Sequence, residues 1–317
     1  ENNTTGNRNT AVGVVALKNN LTGFNNVALG NGTLYSNTEG IFNTALGYRS
    51  LGSNTTGDEN TAVGERAMLA NTIGENNTAV GVKTLYENTE GNNNTAIGIY
   101  SLYANTTGSE NVAVGKNVLS ANTEGEYNVG VGSYALNQNI TGDDNVAIGK
   151  HALQSNTEGD SNVGVGNMAL NNNTTGQLNV AVGINALFSN QTGRFNVAVG
   201  ENALLNSNTD RNTAVGYKSL INQTSGNANT AVGGESLTNN TEGVGNVAIG
   251  LYSMQKNTTG NVNVAVGYNS LMENTTGLRN VSVGFTALNQ NISGQNNTAV
   301  GTFALENNEI GSNNVGI

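Results

Sequence analysis

The sequence predicts an all-β chain that forms a parallel β-solenoid, or β-roll, of about eighteen coils with 17 residues each. Three observations predict this fold: a strict period, a short β-branched segment in every copy, and glycine or asparagine wherever the chain turns. A repeat this short cannot bury an apolar face alone, so neighbouring copies must complete it. We therefore expect stacked coils and not a globular enzyme.

One copy, residues 91–107, reads GNNNTAIGIYSLYANTT, and the next copy follows directly. Four of its residues give names to positions that recur along the chain. They are the strand asparagine (Asn94), the strand glycine (Gly98), the repeat leucine (Leu102) and the turn asparagine (Asn105). The first residue of each copy is the turn glycine. Asparagine and glycine reach left-handed backbone conformations at little cost, so we expect two glycine-marked corners in each coil.

The whole chain, residues 1–317, is predicted to be a single repeat-array domain that starts at Gly6. The strand glycines are seventeen residues apart except over 200–216, where the interval is sixteen. We interpret this as a one-residue deletion near 206–211, with Asp210 in place of the expected turn glycine. The last copy is truncated.

The segment between the strand asparagine and the strand glycine alternates like a β-strand. Its first residue is Thr or Val, as in Thr95 and Val112, and its third is Val, Ile or Leu on the same face. The residue between them is Ala in most copies and never larger than Ser. A position without bulk implies another backbone nearby, either across a thin roll or from a neighbouring chain.

Stacked identical coils place asparagine over asparagine, so their amides can form a hydrogen-bonded ladder. We predict a structural ladder at Asn9, Asn26, Asn43, Asn60, Asn77, Asn94, Asn111, Asn128, Asn145, Asn162, Asn179 and Asn196.

The predicted core is thin. Each coil offers three sizeable apolar groups: the aliphatic residue of the strand, the repeat leucine, and a Val or Thr. This burial is small against the ordering entropy of seventeen residues, so a single chain is marginal. We expect three identical chains that use both faces of the strand.

The segment Asn-(Thr/Val)-Ala-(Val/Ile)-Gly, followed by Ala-Leu, resembles the head repeats of trimeric autotransporter adhesins. It is more similar still to the Asn-Thr-Ala-Val-Gly arrays of bacterial surface proteins and phage tail fibres. The resemblance covers the whole chain, although the copies here are longer. It implies a left-handed parallel β-roll in an interlocked homotrimer, used as an extracellular stalk or adhesive head.

The composition offers little for catalysis. The chain has no cysteine, its net charge is −10, and its twelve Lys and Arg residues are scattered singly, which argues against nucleic acid and anionic membranes as partners. His151 is the only histidine, and Asp58, Asp160, Asp210 and the pair Asp143-Asp144 fall in turns without the spacing of a calcium repeat. We expect no enzyme activity, catalytic residue, metal or cofactor, with calcium at isolated turns as the weaker alternative.

Three sets of turn and surface residues remain. The acidic turn residues are interpreted as a solvated stripe, at Glu39, Glu90, Glu124, Glu158 and Glu242. Exposed rings such as Tyr35, Tyr86 and Tyr103 are interpreted as covers over a corner, with sugar binding as the alternative. Asn-x-Ser/Thr motifs give candidate N-glycosylation sites, although Asn and Thr are also good turn residues, at Asn20, Asn54, Asn105, Asn139, Asn173, Asn190, Asn257, Asn274 and Asn291.

The expected function is structural and adhesive: the shaft or head of an extracellular or virion fibre that binds surfaces through many shallow contacts. Expected partners are copies of the chain itself and a host-surface or glycan receptor. One alternative is an ice- or mineral-binding solenoid, but Val replaces the strand Thr in eleven of nineteen copies. A second is a glycan-processing tail spike, which needs a carboxylate pair between chains.

Overall fold

The computed structural model describes residues 2–317, and in this range the secondary structure is β with no helix. Every copy contributes one short strand, so the predicted fold class, a parallel β-solenoid of 17-residue coils, is confirmed. The strands are β1 Thr10–Val12, β2 Val27–Leu29, β3 Thr44–Leu46, β4 Thr61–Val63, β5 Thr78–Val80, β6 Thr95–Ile97, β7 Val112–Val114, β8 Val129–Val131, β9 Val146–Ile148, β10 Val163–Val165, β11 Val180–Val182, β12 Val197–Val199, β13 Thr213–Val215, β14 Thr230–Val232, β15 Val247–Ile249, β16 Val264–Val266, β17 Val281–Val283, β18 Thr298–Val300 and β19 Val315–Gly316.

The coils fall into two compact units. The first spans Glu1–Asp160 and contains β1–β9, and the second spans Ser161–Ile317 and contains β10–β19. Within each unit, every strand pairs in parallel with the next one along the chain, and equivalent residues of successive copies lie opposite each other. The pairing of β12 with β13 keeps this register across the shortened interval. That the whole array is one domain stays a prediction.

The aliphatic residue of each strand faces outward, which contradicts the prediction that it belongs to the core. In β6 the middle residue Ala96 is fully buried, whereas Ile97 is 42% exposed and Thr95 is half-buried. The same alternation recurs along β2–β18. The sequence correctly predicts two faces, but the small residue marks the inner one because the roll is too thin for a larger side chain.

The interior consists of the strand Ala, the repeat leucine, the residue before it, and asparagine. Gly130 shows what the strand Ala faces: a Cβ there would collide with a methyl of Val118 and lie 3.7 Å from Leu119 Cδ1. The bulk excluded by the small residue therefore comes from the opposite wall of the same chain. Of the two explanations offered by the sequence, the thin roll is the one observed.

The expectation of glycine at positions with positive φ is confirmed for the strand glycine, as for Gly98 with φ of 123°, and is wrong for the turn glycine. Three residues of each coil adopt left-handed backbone angles, as Asn93, Tyr100 and Leu102 do with φ of 58°, 56° and 49°. The turn glycine has no positive φ. It is required because the next coil packs directly against its Cα, so the constraint is steric contact and not backbone conformation.

Candidate functional site

The predicted asparagine ladder runs through the strand asparagines of each unit. The backbone N–H of Asn94 donates to Asn77 Oδ1 at 2.9 Å, and its Nδ2 donates to Gly108 O at 2.9 Å. All of the predicted ladder residues except Asn9 are fully buried. The column continues beyond them in the second unit, from Asn212 to Asn314. Each asparagine thus joins its own coil to both neighbours.

The turn asparagines form a second inner ladder, which the sequence analysis missed. Asn105 Nδ2 donates to Asn88 Oδ1 and to Gly108 O, both at 2.8 Å. Its signal in the sequence is Asn-x-x-Gly at the same period, a pattern that is also typical of ordinary turns. Away from the shortened copy, the carbonyl of a turn glycine accepts from the strand asparagine and the turn asparagine that precede it, as Gly108 O does from Asn94 and Asn105.

This second ladder contains all the candidate N-glycosylation residues. Their side chains are buried: Asn20 is 2% exposed and the others are fully buried. An Nδ2 atom that already donates inside the coil is not accessible to a transferase, so the geometry argues against glycosylation of the folded chain. Glycosylation stays a prediction, which the intact mass of the native protein tests.

The shortened copy near Ser207 shows how the fold absorbs a missing residue. Thr209, and not Asp210, occupies the turn-glycine position, since Asn196 Nδ2 donates to Thr209 O at 2.6 Å. In ordinary coils three successive N–H groups converge on one carbonyl of the next coil. Here the N–H groups of Gln191, Thr192 and Gly193 converge on Asn208 Oδ1 instead. A side-chain amide therefore replaces the absent backbone carbonyl.

The same copy interrupts the second ladder. Ser207 occupies the turn-asparagine position, and its hydroxyl lies 3.1 Å from Thr209 Oγ1. Within the described residues, the buried Asn190 Oδ1 has no hydrogen-bond partner. The ladder resumes one coil later, where Asn240 Nδ2 donates to Gln223 Oε1 at 2.7 Å.

Ser207→Asn is expected to raise the free energy of unfolding of the protein by about 1 kcal/mol, because the new amide can donate to the unsatisfied Asn190 Oδ1. Urea unfolding followed by circular dichroism measures the change. Ser225→Asn, at an exposed turn of the next coil, is the matched control and should leave stability unchanged. Equal or lower stability of Ser207→Asn would show that the unsatisfied oxygen carries no cost.

The aspartates of the turns have a structural role that the sequence analysis did not assign. Asp58 Oδ1 and Asp143 Oδ1 each accept, at 2.7 Å, from the backbone N–H of the equivalent residue one coil earlier. Asp210 does the same for Arg194 at 2.8 Å. The residue after the turn glycine thus caps an N–H that the backbone ladder leaves without a carbonyl. Asp, Asn and Ser perform this role in different copies.

The remaining candidate residues lie on the surface. His151 is half-buried, stacks on Tyr134 with ring centroids 5.3 Å apart, and places Nδ1 2.8 Å from Gln154 Oε1. Tyr86 and Tyr103 stack at 5.2 Å. Partial burial and, to a smaller extent, the carboxylate of Glu87 raise the pKa of Tyr103 above 10.0. Residues 2–317 bring together no group of three or more His, Asp or Glu side chains.

The outer strand face presents an apolar column in each unit. Its aliphatic column is exposed, as at Leu29, Ile97 and Ile148 in the first unit and Ile249 and Val300 in the second. The half-buried column of Thr or Val lies beside it. A continuous apolar strip of this kind is typical of a surface that another molecule covers.

Comparisons with known proteins assign no family to this chain. Neither the protein-family models nor the curated proteins give a match. A search for membrane-spanning helices among residues 2–317 finds no candidate.

Proposed function

We propose that the chain is a structural and adhesive segment of an extracellular or virion fibre, and that three copies assemble through their outer strand faces. The exposed aliphatic column carries the proposal. It runs through successive strands of each unit, so it offers a partner of the same period a repeated contact. Another copy of the chain has the same 17-residue repeat and therefore the same spacing of contacts.

Two features support a fibre segment. Outside the shortened copy, each coil is tied to the next by two asparagine ladders and by the backbone pairing of every strand, so most inner polar groups are satisfied without a globular core. The repeat also resembles the segments of trimeric adhesin heads and tail fibres described above. We propose a left-handed, non-catalytic roll on these grounds.

Analytical ultracentrifugation of the native protein tests the assembly. We expect three times the chain mass of 32.6 kDa, and we expect Ile97→Asp to lower the measured mass towards one chain. The reason is that a carboxylate on the apolar column must be desolvated in the assembly without a partner.

Ile99→Asp is the matched control. Ile99 is 40% exposed, close to the 42% of Ile97, but it follows the strand glycine and lies outside the strand. It should leave the trimer intact. A wild-type protein that sediments as a monomer, or equal dissociation of the two variants, contradicts assembly through the strand face.

A further inference from the structure

The charges of the first unit separate onto two sides of the coil. Twelve acidic residues and one basic residue lie in the segments between a turn asparagine and the next strand asparagine. The segments between a strand glycine and the next turn asparagine have the opposite balance, with only Glu65 and Glu87 as acids. They contain six of the unit's seven basic residues, namely Lys18, Arg49, Arg66, Lys83, Lys116 and Lys150. We call the surface formed by these second segments the basic face.

The basic face also gathers tyrosine. It holds six of the seven tyrosines of the unit, at Tyr35, Tyr48, Tyr86, Tyr100, Tyr103 and Tyr134. Lys18 lies over the ring of Tyr35, and Lys83 lies over two rings, with Nζ within 6 Å of each ring centroid. Cations and rings that are far apart in sequence are therefore neighbours across coils.

One place on the basic face is concave. A hollow of about 380 Å³ lies across three coils, between Tyr35, Tyr48 and Arg49. It exists because small residues, Gly32 and Gly52 among them, stand where other copies have large side chains. Tyr35 and Tyr48 are 37% and 44% exposed. Arg49 is exposed and forms no ion pair with any described residue.

We propose that the basic face binds an acidic polysaccharide, with the hollow as its first sugar subsite. The apolar face of a sugar ring packs on a tyrosine ring, and the phenol hydroxyl can hydrogen-bond to the sugar hydroxyls. The guanidinium of Arg49 pairs with a sugar carboxylate in bidentate geometry. Cations in later coils then pair with further carboxylates along the polysaccharide. This inference deepens the proposed adhesive function and rests on it.

The spacing of the cations favours a polysaccharide over nucleic acid. The six cations are spread over nine coils. Successive coils are about 4.8 Å apart, so the cations cover a length of roughly 40 Å. Duplex DNA carries one charge in about 1.7 Å, so most of its phosphates would meet no cation and would lie near an acidic edge. A polysaccharide with one carboxylate in every one or two sugars has the sparser charge that this face can match.

Isothermal titration of the full chain with oligogalacturonate tests the proposal, and the fully methyl-esterified oligomer serves as the neutral comparison. We expect binding of the acid form that weakens with salt, and little binding of the ester. Tyr48→Ala and Arg49→Gln should each weaken binding about tenfold. Gly52→Leu should also weaken it, because it fills the hollow and leaves every charge in place.

The second unit supplies matched control variants. Tyr217 and Lys218 hold the repeat positions of Tyr48 and Arg49, but the Tyr217 hydroxyl and the carboxylates of Glu235 and Glu201 raise the pKa of Lys218. These carboxylates would repel an acidic sugar, so Tyr217→Ala and Lys218→Gln should not change binding.

Four outcomes would overturn the inference. They are no binding of oligogalacturonate, equal binding of the acid and the ester, an equal loss of affinity in the Tyr217 and Lys218 variants, and tighter binding of single-stranded DNA of the same charge. A trimeric fibre that adheres only to neutral glycans would contradict this inference but agree with the proposed function. A monomer that binds oligogalacturonate would contradict the proposed assembly but agree with this inference.

Discussion

Gly91→Ala is expected to destabilise the first unit by about 4 kcal/mol, although alanine is the smallest possible addition. A Cβ at Gly91 would lie closer than 3.0 Å to Gly108 O, Asn88 Oδ1 and Asn105 Nδ2. Asn105 and Gly108 stack on Asn88 and Gly91 from one repeat further along the chain, so these two layers must separate and the second ladder must break at this point. Denaturant unfolding monitored by circular dichroism should show a lower midpoint.

Gly52→Ala is the control for this prediction. Its Cβ would meet a methyl of Leu69 at 2.9 Å, which a rotation of that flexible side chain relieves. Neither Gly91 nor Gly52 has a positive φ, so the two substitutions differ in contact and not in backbone strain. If both variants were equally stable, the turn glycine would not be the point of close approach between coils.

The period of the repeat made the coil predictable, because one strand and one turn pattern recur in every copy. The direction of the strand faces was not predictable, since Ala96 and Ile97 could each have faced inward by alternation alone. Only the opposite wall decides it, and that wall is made by residues more than ten positions away, such as Val118 against Gly130. Gly130 is small where Val118 is large, but this complementarity can be recognised only once the coil brings the two residues together.

The candidate binding surface was harder to predict than the fold. Lys18, Arg49 and Lys83 appear singly in the sequence, and nothing short-range marks them as one surface. They lie on one side of the coil because each falls between a strand glycine and the next turn asparagine. The burial of the turn asparagines was missed for a related reason, because Asn-x-Thr is typical both of an exposed turn and of a ladder whose amides point inward.

Asn105→Asp is expected to destabilise the first unit by about 3 kcal/mol at neutral pH, although the side chain keeps its shape. The amide of Asn105 donates to Asn88 Oδ1 and Gly108 O at 2.8 Å each. A carboxylate has no proton to donate. Its oxygen would therefore face two other acceptors, Asn88 Oδ1 and Gly108 O, inside the roll. The bond that Asn105 Oδ1 accepts from Asn122 Nδ2 would remain.

The pH dependence of this variant separates charge from loss of shape. Burial beside two carbonyl oxygens raises the pKa of the introduced carboxyl above its unfolded value of about 3.9. The folded state then binds the proton more tightly than the unfolded state, so the variant is most stable below about pH 3.9 and loses stability as pH rises through the raised pKa. Urea unfolding at several pH values, relative to wild type, measures this loss. Asn93→Asp, on the exposed position where another copy has Asp144, should show neither the loss nor the pH dependence. A pH-independent loss in Asn105→Asp would mean that packing, and not the amide donor, holds the second ladder together.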